Sequence, residues 1–335
     1  MSAAAGRPAV AVLGASGFVG SAVAAALARC PGRLRLVARR PAAVPAGAVA
    51  DVEVVCADLT EGGQVASAVA GASLVVHLVT QVSGWRATTA GDEPVNVGTL
   101  REVLAASAHR PGAQPPVTVL FAGAASQAGV PRALPLDGTE PDQPVTVYDQ
   151  QKLAAERLLL AAHAQGAVTG ISLRLPTVYG DSPDGTFRDK GVLAGMTRRA
   201  LRGEVLTTWD GGAVERDFVH VDDIAAAFAA AARCPAALGG RRWLLGSGHG
   251  TPMSEALALI AATVSEHTGR PAAPLADVPA PPDAAESDLS SVRIDASAFG
   301  RATGWSPQIP LATGLRRMVT ALSGQYSAAS NGGLR

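Results

Sequence analysis

The chain has 335 residues, 48% hydrophobic and 17% charged, with 28 basic and 28 acidic side chains. That balance gives no global field to draw it to nucleic acid or anionic membrane, and zinc-finger spacing and basic–aromatic stripes do not occur. Three scattered cysteines, Cys30, Cys56 and Cys234, argue against a disulfide framework or metal cluster and fit a reducing, cytoplasmic setting; no apolar run reaches the ~18 residues of a membrane span.

The opening MSAAAGRPAVAVLG lacks the charged and apolar regions of a signal peptide, and its apolar run belongs to a strand at 9–14. GASGFVG follows directly, with Gly14, Gly17 and Gly20 three apart, and an alanine-rich helix follows at 21–29. Strand, glycine turn and helix in this order form a dinucleotide loop. The glycines let the backbone approach a pyrophosphate, and the helix N-terminus offers free N–H groups to it. Ser16, Phe18 and Val19 belong to the same loop. The second strand, 33–38, ends in Ala38, Arg39 and Arg40, where an NAD-selective fold carries an acid for the ribose 2′-hydroxyl. Guanidinium groups there suit a 2′-phosphate and point to NADP, although two solvated arginines would read the same way.

A third strand at 52–57 is followed by Asp58 and Leu59. Asp58 can accept from an adenine amino group or can cap a helix. A helix at 64–71 leads to a strand at 73–79, where His77 reads as a core histidine and Leu78 and Val79 close the strand against the cofactor. A helix at 100–108, a strand at 117–123, a helix at 152–165 and a strand at 170–176 complete the alternation. Nearly continuous apolar strands between helices predict an α/β fold, a doubly wound parallel Rossmann sheet over residues 1–176.

After Pro176 the pattern loosens. Gly, Asp and Pro cluster at 180–191; a helix near 192–203 and a strand near 204–209 follow. Residues 214–246 return to strand and helix and are expected to rejoin the first domain. The rest of 177–335 is read as a smaller C-terminal substrate-binding lobe, with an irregular segment at 270–288 and a tail that frays after Ser323.

Tyr148 and Lys152 stand four apart near the start of the 152–165 helix, on one face. An ammonium beside a phenol favours the phenolate, so the pair can exchange a proton near neutral pH, and the lysine can also bind a nicotinamide ribose. The preceding strand ends FAGAASQ. Ala124 and Ala125 lack a hydroxyl, and Ser126 is the nearest one.

GASGFVG, YDQQK, RLPTVYG and RDFVHVDDIA together resemble the extended short-chain dehydrogenase/reductases, the NAD-dependent epimerase/dehydratase family, along nearly the whole chain. FAGAASQAG, EPDQPVTVYDQQKLAAE and the stretch from RDKGVLAG to RDFVHVDD are most similar to the 4-ketoreductases of antibiotic deoxysugar biosynthesis. The resemblance implies an NADPH-dependent enzyme without metal that reduces the C4 keto group of a dTDP-linked 4-keto-6-deoxyhexose. In it Tyr148 gives the proton, Lys152 lowers the tyrosine pKa and Ser126 replaces the hydroxyl absent at Ala124, with Gln127 assisting. It also implies substrate contacts from Thr177, Tyr179, Arg188, Lys190, Trp209 and Arg216, the last on the diphosphate. The family further implies a homodimer through helices 100–108 and 152–165. Two other functions stand beside this one: a nucleotide-sugar epimerase or dehydratase, and a non-catalytic NADP-binding sensor or scaffold, for which Ala124 is the best argument.

Overall fold

The computed structural model describes residues 9–81, 89–108, 115–182 and 189–332, the side chains as far as residue 324. The first half runs β1 (Ala9–Leu13), α1 (Phe18–Ala28), β2 (Arg33–Ala38), β3 (Asp51–Cys56), α2 (Gln64–Val69), β4 (Ala72–His77), α3 (Thr99–Ala108), β5 (Val117–Ala124), α4 (Val147–Ala164) and β6 (Val168–Leu175). The second half adds β7 (Thr177–Tyr179), α5 (Val192–Leu201), β8 (Leu206–Trp209), β9 (Glu215–His220), α6 (Val221–Arg233), α7 (Pro235–Leu238), β10 (Arg241–Leu244), β11 (Gly250–Pro252), α8 (Met253–Thr268), β12 (Leu275–Val278), α9 (Ser297–Thr303) and α10 (Leu311–Gly332).

Seven parallel strands form the main sheet in the order β10-β6-β5-β4-β1-β2-β3. The order reverses between β1 and β4, and ligands of such sheets bind in the crevice beyond the strand C-termini there. Side-chain alternation explains why helices cover both faces. Val12, Leu36, Val76 and Leu120 pack with α1 and α6, whereas Leu13, Val37, Val75 and Phe121 pack with α2, α3 and α4. This is the Rossmann-like sheet expected from the sequence.

A third core, from α5, α8 and α10 with Tyr179 and Phe218, builds the second lobe. There β7 and β9 pair in parallel and β11 joins β9 antiparallel, while β8 and β12 form a separate parallel pair. The segment 270–288, expected to be irregular, therefore contains a strand, and the C-terminal helix runs to Gly332 where fraying was expected after Ser323. Residues 214–246 divide between the lobes. β10 edges the main sheet and α6 packs on α1, whereas β9 belongs to the smaller sheet.

Buried carboxylates of the RDFVHVDD stretch fasten the lobes' loops. Asp217 accepts from the backbone N–H groups of Ser247, Gly248 and Ile294, and Asp223 from those of Gln308 and Ile309. No described helix is long and apolar enough to cross a membrane.

Candidate active site

The glycine loop leaves β1 with Gly14 at φ +86°, in the left-handed region. A Cβ on Gly14 would press on the Leu78 carbonyl at 3.0 Å and on Val79 N at 3.2 Å, so the loop rests directly on the end of β4. A Cβ on Gly20 would lie 2.0 Å from the Gly14 carbonyl oxygen, which makes glycine obligatory for the helix to start so close to the strand. Gly17 caps α1 without a side-chain bond, and no acidic residue occupies the first turn. The N–H groups of Phe18, Val19 and Gly20 thus precede the first intrahelical bond, and the helix presents its positive end with no built-in anion. This bare cradle fits a dinucleotide pyrophosphate.

Arg39 and Arg40 are exposed where β2 ends. Asp58 closes a local turn, its Oδ1 accepting from Thr60 N at 3.0 Å and Thr60 Oγ1 at 2.6 Å; those bonds hold its carboxyl below the usual range, and Arg39 adds to the effect. It does not cap α2, which starts only at Gln64. Leu59 is buried beside it.

The proton-transfer pair lies at the start of α4, which begins five residues earlier than the sequence pattern indicated because Thr146 and Asp149 form a capping box. Lys152 is only 3% exposed. Its Nζ donates to the Ala122 carbonyl at 2.9 Å and stands 5.8 Å from the centre of the Tyr148 ring. Burial pushes its pKa down to about 8. The Tyr148 phenol is pushed upward, first by burial and then by the neighbouring Asp149 carboxylate, and the expected lowering by Lys152 does not offset them.

Ser126 sits on a single 3₁₀ turn after β5, and its Oγ donates to Asp149 Oδ1 at 2.5 Å. This bond draws the β5 loop onto the α4 N-terminus beside Tyr148. In this bond the hydroxyl proton is directed to Asp149 and the oxygen keeps its lone pairs for a ligand. Gln127, expected to assist, is corrected: it is fully buried, with Oε1 accepting from Ala124 N at 2.7 Å, so its side chain closes the turn.

Several contributors carry no motif in the sequence. Asn96, on a π-turn before α3, donates to Gln151 Oε1 at 2.7 Å and accepts from Gln81 N at 2.7 Å, tying α4 to the chain leaving β4. Asp149 and Gln151 are the middle of YDQQK, the part that the tyrosine–lysine spacing ignores. His77 is buried, bonded to Thr99 Oγ1 at 2.9 Å, and pushed down to about 3 by burial and by Lys152, as befits a neutral core histidine.

On the substrate side, Tyr179 is corrected. It is 1% exposed in the second-lobe core, edge-on to His220, with its hydroxyl turned to the Leu311 carbonyl at 3.4 Å. Thr177 is half-buried on β7, Trp209 half-buried on β8, and Lys190 exposed. Arg188 lies outside the described residues. Arg216 lies on β9, its guanidinium donating to the carbonyls of Glu215, Asp288 and Ser290, and burial lowers its pKa. No cluster of three metal-ligating side chains occurs among the described residues.

The family model described as "NAD dependent epimerase/dehydratase family" matches residues 10–246. A dTDP-L-rhamnose 4-epimerase of Burkholderia thailandensis is 33% identical over 185 residues, 55% of this chain and 48% of that protein. A UDP-glucose 4-epimerase of Mycolicibacterium smegmatis is 31% identical over 252 residues, 73% of this chain and 74% of that protein. The match thus spans about half of the first relative and three quarters of the second. Two solved structures share the fold. MoeE5 in complex with UDP-glucose and NAD has a TM-score of 0.78 at 23% identity, covering 96% of this chain and 100% of that one. RMD from Pseudomonas aeruginosa complexed with NADPH has a TM-score of 0.77 at 21% identity, covering 95% and 100%. The chain belongs to the NAD dependent epimerase/dehydratase family.

Proposed function

We propose, from that family membership, that the chain exchanges hydride at C4 of a nucleoside-diphosphate hexose and that inversion at C4 is its net reaction. The observation that carries this reading is the assembly at the sheet's switch point. Tyr148, the buried Lys152 ammonium and the Ser126 hydroxyl gather at the end of β5, and the glycine cradle rests on β4 next to it. The two curated 4-epimerase relatives support the net reaction.

A nicotinamide cofactor, held by the glycine loop and the end of β2, would supply and take back the hydride. Tyr148 moves the proton at the sugar oxygen. Lys152 provides the nearby positive charge and a hand on the ribose, and Ser126 orients the oxygen. Arg216, beside the 288–290 segment, is the cation proposed for the diphosphate. A homodimer through α3 and α4 and a cytoplasmic location complete the proposal; three free cysteines fit the latter.

A second reading is the NADPH-dependent reduction of a dTDP-4-keto-6-deoxyhexose. Arg39 and Arg40 favour it, since a 2′-phosphate is what two guanidinium groups at that strand end would bind.

One assay separates the two. The protein is offered UDP-glucose, dTDP-L-rhamnose and dTDP-4-keto-6-deoxyglucose with NAD or NADPH; absorbance follows the cofactor and NMR the sugar. Inversion at C4 without net cofactor change supports the epimerase. Stoichiometric NADPH consumption on the keto sugar would replace it with the reductase. Tyr148→Phe should abolish turnover in either case, and retained turnover refutes the site.

A further inference from the structure

Asp149 stands beside Tyr148 and is 2% exposed, with both carboxylate oxygens engaged. Oδ1 receives the Ser126 hydroxyl at 2.5 Å. Oδ2 receives Thr146 Oγ1 at 2.6 Å and Thr146 N at 3.4 Å. Thr146 Oγ1 in turn accepts from Asp149 N at 3.2 Å, so its single proton is committed to Oδ2. The oxygen facing Ser126 is therefore the one that can carry a proton.

A hydroxyl has one proton to give. While Ser126 gives it to the carboxylate, it shows a ligand only lone pairs, so it accepts from an alcohol and cannot donate to a carbonyl. With a proton on Oδ1 the bond reverses, and the serine proton is released toward a carbonyl oxygen. Alanine at 124 and 125 leaves Ser126 as the hydroxyl of this turn.

We propose that Asp149 is a positioning residue acting through Ser126, and that its protonation state sets whether the site prefers the alcohol or the ketone at sugar C4. This rests on the C4 hydride-exchange reading. Among the described residues, the titratable groups bearing on Asp149 are Tyr148 beside it on α4 and Asp288 on the turn Glu286–Asp288. Burial and the Asp288 charge push its carboxyl up, and the two hydroxyls oppose them.

Asp149→Asn is the informative variant. The Thr146 donors require the amide oxygen on their side, which turns the amide NH₂ toward Ser126. Ser126 then accepts from the amide and is held as a donor to the ligand. The variant should raise the ketone-to-alcohol ratio of kcat/KM, measured with dTDP-4-keto-6-deoxyglucose and UDP-glucose, by on the order of tenfold or more. The ratio should lose the pH dependence of the parent, and Ser126→Ala should cancel the effect of Asp149→Asn.

The link itself is testable without substrate, by carbon-13 NMR titration of the Asp149 carboxyl. Ser126→Ala removes a donor to the ionised form and should move that titration to higher pH. An unmoved titration overturns the coupling whatever the enzyme turns over. A moved titration with an unchanged ketone-to-alcohol ratio reduces the pair to a loop fastening and also overturns the proposal. Absence of turnover with a coupled titration would instead count against the C4 reading on which the proposal stands.

Discussion

Asp149 and Glu156 lie two turns apart on the same face of α4, both buried, and they are held by different chemistry. Glu156, 1% exposed, meets Arg174 through its Nε at 3.0 Å and through an Nη contact, and Ser172 Oγ at 2.6 Å. Asp142 extends that pair to a second arginine, Arg242. Asp149 meets two hydroxyls and no described cation. A guanidinium compensates a buried negative charge; hydroxyls stabilise it without neutralising it. The first arrangement is a fastener between α4 and β6. The second leaves a carboxyl that can change protonation beside the proton-transfer tyrosine. Lys152 lies between them, a buried cation with a carbonyl for a partner.

The largest effect should follow from breaking the paired carboxylate. Glu156→Ala leaves Arg174 buried without its main partner and should cost about 3–5 kcal/mol in urea unfolding. A loss no greater than that of the corresponding Asp149 variant would erase the distinction. Next comes Lys152. Its folded pKa, about 8, is below the 10.5 of the exposed group, so between those values the unfolded chain binds more protons and stability rises with pH. Lys152→Met should remove that slope and stabilise the fold at pH 7 by roughly 1–3 kcal/mol, while turnover is lost. Asp149→Ala removes half of the capping box and should cost about 1–2 kcal/mol by the same unfolding measurement.

The smallest effect is a difference in pH profile. Asp149 has a folded pKa above its unfolded value. Its stabilising contribution is complete below pH 3.8, the ordinary carboxylate value, and is lost as pH rises through the folded pKa. Thermal melts of the parent against Asp149→Asn should diverge in that direction. Parallel profiles would mean that Asp149 does not change protonation over that range.

The sheet and the glycine loop were legible because their signals are local: alternating apolar runs, three glycines in seven residues, and a tyrosine four before a lysine. What escaped depends on distant segments meeting. Asp149 carries no signal within YDQQK until the β5 loop brings Ser126 to it from 23 residues away. Asn96 gains meaning only when α4 presents Gln151, and β12 exists only because β8 pairs with it from across the second lobe. Tyr179 reads as a strand-end aromatic near the ligand, yet α10 packs over it and makes it core.

The seventh strand carries a consequence for synthesis. The chain leaves the main sheet at Leu175 and returns only at Arg241, so β6 emerges from the ribosome with one edge bare. At roughly 5–20 residues per second the covering strand arrives several seconds later. During that interval an apolar strand offers unpaired backbone groups to any neighbouring nascent chain. Arg174 lies within that strand. A charge within such a strand acts as a gatekeeper against edge-to-edge aggregation; in the folded protein the same side chain is buried against Glu156.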